Sequence, residues 1–326
     1  MARPHQTGDS SASNTSLHAA RRNKNDEFYT QLTDIEKELR HYRGHLKGKV
    51  VFCNCDDPEW SSFWKYFTLN FKHLGLKKVI ATHYRADAGS SYKLEFLGGD
   101  PGDAKNIVRT DLAGDGDFRS DECVAILKEA DLVVTNPPFS LFREYVAQLV
   151  VHGKQFLIIG NNNAITYKEI FKLIRSNQLW LGISPRSMKF RQVDGSLKDV
   201  NACWFTNLQH SRRNEQLTLY RTYRGNEHEY PKYDNYGAIE VSRVTDIPVD
   251  YEGAMGVPIT FLDKYNPSQF EILGITDRDN NSGLKTREYG ENDAPRPGDL
   301  NRRGVLKIDG AYKSTYARLL IKRKTS

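Results

Sequence analysis

Short apolar runs alternate with amphipathic segments along most of the chain. Five runs of strand-forming residues lie at residues 49–55, 77–84, 106–112, 131–136 and 154–161. Apolar residues at helical spacing mark four other segments, at residues 61–76, 121–130, 140–153 and 167–178. Strands that alternate with helices and show no hairpin signals predict a parallel sheet wound on both faces. We therefore expect an α/β fold with a doubly wound, mostly parallel sheet.

The pattern changes at both ends of this core. Residues 1–24 are polar and basic and predict a flexible arm, whereas residues 25–206 carry the sheet-forming pattern. From Asn207 the helix–strand alternation fades and the chain becomes dense in Arg and Tyr. We therefore predict a smaller, loop-rich region over residues 207–326, which ends in one strand with basic flanks.

Composition narrows the class of protein. Of 326 residues, 38% are hydrophobic and 27% are charged, which is typical of a folded globular chain. No segment is apolar enough to cross a bilayer and the N-terminus is not a signal peptide, so we expect a cytoplasmic protein. The net charge of +6 is compatible with a polyanionic partner. The four cysteines have neither disulfide nor zinc-ligand spacing, so we predict buried, reduced thiols and no metal site.

Polar residues follow each predicted strand. "NCDDP" comes after the first strand, "HY" after the second, "TDL" after the third and "NPPF" after the fourth. Right-handed crossovers bring the carboxyl ends of parallel strands to one edge of the sheet. Ligands of such sheets bind outside that edge. The sequence therefore predicts one crevice lined by all four segments.

The segment "NPPF", Asn136 to Phe139, indicates the chemistry of the crevice. Two prolines stiffen the exit from the strand, since proline fixes its own φ and restricts the residue before it. The Asn136 amide oxygen and the Pro137 carbonyl are then a pair of acceptors for an exocyclic amino group. Phe139 offers a flat face for a planar base, a contact that stabilises binding by about 1–3 kcal/mol. We expect a pocket in which Asn136, Pro137, Pro138 and Phe139 hold an amino-bearing base.

Asn-Pro-Pro-Phe resembles the catalytic motif of amino-group methyltransferases. The wider chain is similar to the EcoRI-type adenine-specific DNA methyltransferase family, through "NDEFYTQ", "VVFCNCDDP", "GDGDFRSDE", "VVTNPPFSLFREYV", "FLIIGNNNAITYKEIF" and "FLDKYNPSQFEILGI" in the family's order. The resemblance implies a Rossmann-like methyltransferase sheet, S-adenosylmethionine as methyl donor and the N6 nitrogen of adenine in DNA as acceptor. It also implies a monomer, a short palindromic site such as GAATTC and, in some settings, a partner endonuclease that shares this site.

The resemblance assigns cofactor contacts to specific positions. Residues of "DEFYT", here Tyr29 and Thr30, resemble the segment that lines the methionine end of the cofactor. The other expected cofactor contacts are Asn54, Asp56, Asp57, Tyr84, Asp111, Asp117 and Phe118. Asp111 fits the adenine-side acid by its position at a strand end, whereas Asp117 fits by the Asp-Phe pattern, which we favour slightly.

Two departures from the family pattern affect this assignment. The turn after the first strand lacks glycine, and Asp56 or Asp57 is instead expected to meet the ammonium group of the methionine moiety. An acid ordinarily ends the second strand and binds the ribose hydroxyls. Here His83 and Tyr84 end that strand and Asp87 follows a few residues later, so Tyr84 is expected to stack on the cofactor adenine.

The Arg/Tyr-rich segment is suited to binding duplex DNA. An adenine must rotate out of the helix to be methylated, which costs a few kcal/mol. The protein must hold the duplex while the base is rotated out. We expect Arg212, Arg213, Arg221 and Arg224 to contact phosphates or guanine edges and Tyr223 to pack on sugars or bases. The alternative for these residues is a solvated basic face.

Two other functions are compatible with the motifs. NPP-aromatic motifs also occur in enzymes that methylate RNA bases or protein glutamine side chains. The absence of a glycine turn is also compatible with a decayed cofactor site in a DNA-binding module. A cytosine-C5 enzyme is disfavoured because no cysteine follows a proline.

Overall fold

The structure is a computed structural model that describes residues 29–55, 57–85, 91–191, 196–294 and 296–324. Its helices are α1 Leu32–Leu39, α2 Ser62–Leu69, α3 Phe71–Leu74, α4 Asp121–Glu129, α5 Phe142–Val151, α6 Lys168–Arg175 and α7 Pro297–Leu300. Its strands are β1 Tyr29–Thr30, β2 Val50–Cys53, β3 Lys78–Thr82, β4 Tyr92–Phe96, β5 Ile107–Asp111, β6 Leu132–Thr135, β7 Gln155–Asn161, β8 Trp180–Leu181, β9 Met188–Arg191, β10 Leu197–Val200, β11 Ala202–Thr206, β12 Ala238–Glu240, β13 Ala254–Pro258, β14 Phe270–Ile275, β15 Val305–Ile308, β16 Ala311–Ser314 and β17 Arg318–Arg323. None of the described helices has the length and apolarity that a bilayer crossing requires.

The chain folds into two compact units. Unit 1 contains the chain up to Asn161 together with Pro185–Cys203. Unit 2 contains Asn162–Ser184 and the chain from Trp204 onward. The segment 162–184, which carries α6, therefore belongs to the same unit as the Arg/Tyr-rich region.

Unit 1 is built on a sheet with the strand order β5-β4-β3-β2-β6-β7. The pairs β2–β3, β2–β6 and β6–β7 are parallel. The strands β2 and β6 are buried along their whole length, because both faces are covered; every residue is apolar except Thr135, whose hydroxyl is hydrogen-bonded. The predicted α/β fold with a mostly parallel sheet is confirmed. Cys53, Cys123 and Cys203 are buried as predicted, whereas Cys55 is half-buried because it lies in the loop after β2.

The expectation that hairpins are absent was wrong at one edge of this sheet. Strand β4 lies antiparallel between β3 and β5. Two reversals return β5 to the direction of β3, so its carboxyl end still lies at the predicted edge. Four of the five β5 residues are exposed, because this strand is the edge of the sheet.

Local sequence sets the helix ends of unit 1. The Ser61 hydroxyl accepts a hydrogen bond from the Trp64 N–H, and the Ser120 hydroxyl accepts one from the Cys123 N–H, so both serines are N-caps. The single helix predicted over residues 61–76 is two helices, α2 and α3. The break is at Asn70, whose side chain donates to the Tyr66 carbonyl at 2.9 Å and competes with the backbone.

Unit 2 contains a four-stranded sheet of order β12-β13-β17-β14 and a separate two-stranded ribbon of β15 and β16. The predicted single C-terminal strand is two strands, β16 and β17, which pair in different sheets. The chain turns between them at Thr315, whose N–H donates to the Gly304 carbonyl at 2.8 Å.

Candidate active site

The segment Asn-Pro-Pro-Phe forms a turn at the carboxyl end of β6. Asn136 is buried with 8% of its surface exposed, Pro137 is buried, and Pro138 and Phe139 are half-buried. The Leu141 N–H donates to the Pro138 carbonyl at 3.0 Å, and α5 begins at the next residue. The turn therefore places a buried amide and a partly accessible ring next to each other at the edge of the sheet.

A buried clamp joins this turn to the loop after β2. Asn54, Thr135 and Tyr145 form the clamp: the Thr135 hydroxyl donates to the Asn54 carbonyl oxygen, and the Tyr145 hydroxyl donates to Asn54 Oδ1. Burial raises the pKa of the Tyr145 phenol well above its ordinary value, so Tyr145 is a neutral donor. The Phe118 ring meets the Tyr145 ring edge-on at 5.0 Å. Asn54 thus links the carboxyl ends of β2 and β6, and its side-chain oxygen accepts a hydrogen bond in the protein interior.

The segment that contains Thr30 lies close to the turn. Thr30 pairs with Phe190 across β1 and β9, and the Phe190 ring meets the Phe139 ring edge-on at 6.4 Å. The Thr30 hydroxyl oxygen is buried, and no described residue forms a hydrogen bond with it. The Thr30 hydroxyl is therefore a buried polar group beside the turn whose hydrogen bond the described residues do not supply.

The loop after β2 contacts the end of β3 through Asp57. His83 Nε2 lies 3.9 Å from Asp57 Oδ2, and the Tyr92 hydroxyl donates to Asp57 Oδ1 at 3.5 Å. The His83 and Tyr92 rings are stacked with centroids 4.9 Å apart. Burial, followed by the Asp57 charge, raises the pKa of Tyr92 to about 12. The Asp57 side chain is 28% exposed, so a carboxylate borders the crevice at this point.

Tyr84 and the loop after β5 lie side by side. The Arg85 N–H donates to the Asp115 carbonyl at 2.8 Å, and Gly116 has a φ of +81°. A Cβ at Gly116 would lie 2.0 Å from the His83 carbonyl oxygen, so only glycine fits. Tyr84 is 42% exposed; burial and then the negative charges of Asp115 and Asp117 raise its pKa.

The two candidate acids after the third predicted strand have different surroundings. The Asp117 carboxylate accepts two hydrogen bonds from the Arg119 guanidinium, at 2.9 and 2.6 Å, and this contact lowers the Asp117 pKa. Phe118, the next residue, is buried against Tyr145. The Asp111 side chain is 80% exposed on the edge strand and lies 3.9 Å from Arg109. Asp117 is therefore the acid next to Tyr84 and the clamp.

Sequence reasoning missed four residues that contact these loops: Tyr145, Phe190, Gly116 and Ser91, whose hydroxyl donates to the His83 carbonyl oxygen. Glycine in "GDGDF" was the one available local signal, because a glycine within an acidic turn indicates a special φ. Asp56 and Asp87 lie outside the described residues, as does the side chain of Tyr29.

In unit 2 the predicted DNA-binding arginines have different environments. Arg213 is 4% exposed; its guanidinium lies 3.7 Å from the Trp180 ring centroid and donates to Asn177 Oδ1. Burial lowers its pKa. Arg212 is half-buried and donates to the Ile183 carbonyl at 2.7 Å. Arg213 therefore packs inside unit 2, and it is not positioned to reach a phosphate in this conformation.

Residues 221–224 form an exposed basic turn. Both oxygens of the Asp250 carboxylate accept backbone hydrogen bonds, from Tyr223 at 2.5 Å and from Arg224 at 3.1 Å. The Tyr223 ring lies 4.6 Å from the Tyr251 ring. The side chains of Arg221 and Arg224 are exposed. The turn thus presents two cations on a backbone that a single carboxylate orders.

Comparison with known proteins identifies the family. The family model for adenine-specific methyltransferase EcoRI matches residues 16–324. The chain is 47% identical over 301 residues to the type II methyltransferase M.EcoRI of Escherichia coli, which covers 82% of this chain and 92% of that protein. It is 45% identical over 276 residues to M.MpnI of Mycoplasma pneumoniae, with 79% and 84% covered, and 36% identical over 329 residues to M.MgeORF184P of Mycoplasma genitalium, with 94% and 98% covered. No solved structure matches the chain at a significant level.

The family model spans the NPPF turn, the clamp and the basic turn alike. The resemblance predicted from the motifs is thus confirmed over nearly the whole described chain. The chain belongs to the EcoRI family of adenine-specific methyltransferases and is a DNA adenine methyltransferase.

Proposed function

We propose that the protein transfers a methyl group from S-adenosylmethionine to the N6 nitrogen of an adenine rotated out of a short duplex sequence. The observation that carries the proposal is the position of Asn136, whose 8% exposed amide lies at the carboxyl end of β6 beside the partly accessible Phe139 ring. A planar base with an exocyclic amino group matches this combination of acceptor and ring.

The NPPF turn binds and polarises the adenine. The Asn136 side-chain oxygen and the Pro137 carbonyl accept the two N6 hydrogens, which draws the nitrogen toward tetrahedral geometry and exposes its lone pair. Phe139 stacks on the ring, and Phe190 supports Phe139 from the edge at a centroid distance of 6.4 Å. The clamp keeps this turn from shifting, because Thr135 is anchored to the loop after β2.

The residues around the turn fit the cofactor that the family uses. The buried Thr30 hydroxyl offers a hydrogen bond, the Asp57 carboxylate offers a counter-charge for an ammonium group, and the Tyr84 ring offers a stacking surface. Asp117 and Phe118 contact the adenine ring of the cofactor, and Arg119 keeps Asp117 ionised. When bound, S-adenosylmethionine would supply the methyl group: the N6 lone pair would form the new N–C bond as the sulfonium S–C bond breaks to leave a neutral thioether, and N6 would release one proton to solvent.

The second unit holds the duplex. Arg221 and Arg224 contact phosphates, with Tyr223 beside them and Arg212 at the edge of the same unit. Phosphate contacts position the protein on the duplex and base contacts supply specificity. These contacts offset the cost of rotating the adenine out of the helix.

The relatives indicate the biological setting. Each of the three is named as a type II methyltransferase. We infer that this protein likewise modifies one short duplex site, such as the palindrome GAATTC that the family resemblance suggests, and that it acts as a monomer. Modification would protect that site from a restriction endonuclease that shares it without forming a stable complex.

Transfer to N6 is tested by incubating the protein with S-adenosylmethionine and duplex DNA, RNA or protein, then measuring N6-methyladenine by mass spectrometry. We expect methylation of duplex DNA alone. Asn136→Ala should reduce transfer on the order of 10²–10³-fold, as removal of a single catalytic hydrogen-bonding group does, while calorimetry shows cofactor binding retained.

Asn106→Ala is the matched control, because Asn106 lies at the amino end of β5, away from the carboxyl edge. Full turnover by Asn136→Ala would refute the role given to the NPPF turn. Methylation of RNA or glutamine in place of duplex DNA would refute the proposed substrate.

A further inference from the structure

A two-stranded ribbon projects from unit 2. Strands β15 and β16 pair antiparallel through Val305↔Ser314, Leu306↔Lys313, Lys307↔Tyr312 and Ile308↔Ala311. Asp309 and Gly310 close the ribbon with φ values of 52° and 80°. Two successive residues with positive φ form the tight turn that preserves the natural strand twist. Residues 307–311 are exposed, so the tip extends into solvent.

The base of the ribbon is fixed. Asn235 is fully buried; its side-chain amide donates to the Arg303 carbonyl and its Oδ1 accepts from the Val305 N–H, each at 2.8 Å. Val305 is itself buried against Tyr289 and Leu300. A rigid base with a solvated tip costs little conformational entropy when the tip binds a partner.

The ribbon carries cations whose charge no carboxylate of the described residues neutralises, although Arg303 donates to the Arg302 carbonyl at 2.8 Å and Lys307 lies 5.7 Å from the Tyr312 ring centroid. Residues 302–316 contain Arg302, Arg303, Lys307 and Lys313 but a single acid, Asp309. None of these four cations forms an ion pair with a carboxylate of the described chain, whereas the nearby Arg287 and Arg318 pair with Asp234 and Glu240. The charge of the ribbon is therefore available to an external polyanion.

The two faces of the ribbon differ. Lys307 and Tyr312 share one face, and the Tyr312 ring is covered by Tyr289 at a centroid distance of 5.3 Å. On the opposite face Leu306 is buried at the base of the ribbon, and Lys313, Ile308 and Ala311 are exposed from there to the tip, where Ile308 is 38% exposed. A free face that combines two apolar side chains and one cation is suited to base edges, because thymine offers a methyl group and guanine offers O6 and N7 acceptors.

We propose that this ribbon enters the major groove of the duplex substrate and reads base edges with Ile308, Ala311 and Lys313. Lys307 and Arg302 contact the phosphates that border the groove. The major groove is about 12 Å wide and admits a two-stranded ribbon. This inference rests on the proposed function, since it supplies the sequence-reading element for the methylated site.

The phosphate and groove contacts are tested first by salt dependence. Lys307→Ala/Lys313→Ala and the parent protein are titrated with a fluorescent duplex carrying the site that sequencing of modified adenines identifies. Each lost contact should lower the slope of log affinity against log salt by about 0.9, so the double variant should lose about 2. Lys72→Ala/Lys105→Ala is the control of equal charge, because both lysines are exposed and lie before strands β3 and β5, at their amino ends.

Dimethyl sulfate interference then locates the groove, since it modifies guanine N7 in the major groove and adenine N3 in the minor groove. We expect interference at guanine N7 for the parent protein and its loss in the Lys313→Ala variant, with unchanged cofactor binding and melting temperature. A wild-type salt slope in the double variant, or interference confined to adenine N3, overturns the proposal. If the parent protein binds duplex but transfers no methyl group, the proposed function fails, and the ribbon is then judged from the salt slope on a duplex of mixed sequence, because phosphate contacts do not depend on sequence.

Discussion

The two units hold their functional turns by opposite means. In unit 1 the NPPF turn is anchored by the clamp, whose three members are buried and neutral. In unit 2 the arginines of the basic turn are exposed, and its backbone is ordered by one half-buried carboxylate, Asp250, which accepts two backbone hydrogen bonds.

This difference follows from what each turn binds. A buried hydrogen bond is costly to break, because the remaining partner loses its solvation, so the clamp fixes geometry firmly. An exposed charge is screened by salt and contributes mainly to long-range attraction. Substitutions at the clamp should therefore change stability and transfer, whereas substitutions at the basic turn should change salt dependence alone.

The largest effect is expected from Gly116→Ala, which places a Cβ 2.0 Å from the His83 carbonyl oxygen at a φ of +81°. The loops after β3 and β5 must separate, so cofactor binding should be lost and the melting temperature should fall by several degrees, about 4–8 °C per kcal/mol lost in a small domain and less in a larger one. Gly153→Ala is the control, since Gly153 also has a positive φ but no atom within 4 Å of its Cβ position. If Gly116→Ala and Gly153→Ala lowered cofactor binding and the melting temperature equally, the close approach of the loops after β3 and β5 would not explain the effect.

Tyr145→Phe tests the clamp itself. Removing the hydroxyl leaves the buried Asn54 Oδ1 without its donor, which should lower the free energy of unfolding by about 1–3 kcal/mol. Transfer should fall with it, and the salt dependence of DNA binding should not change. Tyr220→Phe is the control, because Tyr220 is 82% exposed. It should change neither the free energy of unfolding, measured by urea denaturation, nor the rate of methyl transfer. A fully stable Tyr145→Phe variant would argue that the clamp does not fix the turn.

The double variant Arg221→Ala/Arg224→Ala tests the basic turn of unit 2. Loss of two phosphate contacts should lower the salt slope of duplex binding by about 2 and leave cofactor affinity and urea denaturation unchanged. Asp250→Ala should act in the same direction with a smaller effect, because the turn loosens while its cations remain. An unchanged slope in the double variant would remove the basic turn from the DNA interface.

The smallest effect concerns pH. Because Arg119 lowers the Asp117 pKa in the folded state, the ion pair stabilises the fold above the ordinary pKa of about 3.9. That contribution is lost as pH falls through the lower folded pKa. Asp117→Asn should therefore flatten the decline of stability below about pH 4, whereas Asp111→Asn, at an exposed side chain, should not. Identical acid unfolding curves for the two variants would contradict this.

Much of the fold was predictable because local pattern carries it. The parallel strands β2, β3, β6 and β7 each contain a run of at least three apolar residues, and the helices between them show helical spacing. Strand β4 was missed although Tyr92, Leu94 and Phe96 alternate with charged residues, a period-2 pattern typical of a half-buried strand. The helix prediction across Asn70 failed because a side chain competes with the backbone there.

The site was predictable only in part. The motif placed Asn136 at a strand end, and the order of strands implied that four loops meet at one edge. The partner of Asn54 was not predictable, because Tyr145 is 91 residues away in the chain. Arg213 was expected to bind DNA because a cation in a basic segment usually points to solvent, whereas here it is covered by Trp180.

The sequence by itself determined the order of the parallel strands and of the helices between them, the rigid turn after β6 and the basic character of the C-terminal region. These properties depend on residues within a few positions of one another, through hydrophobic period, proline geometry and charge. Only the tertiary structure decided which arginines are exposed, which acid lies beside Tyr84, which tyrosine anchors Asn54, and that β15 and β16 form a separate projecting ribbon. Burial and long-range hydrogen bonds arise where distant segments cross, and no local pattern encodes which segments those are.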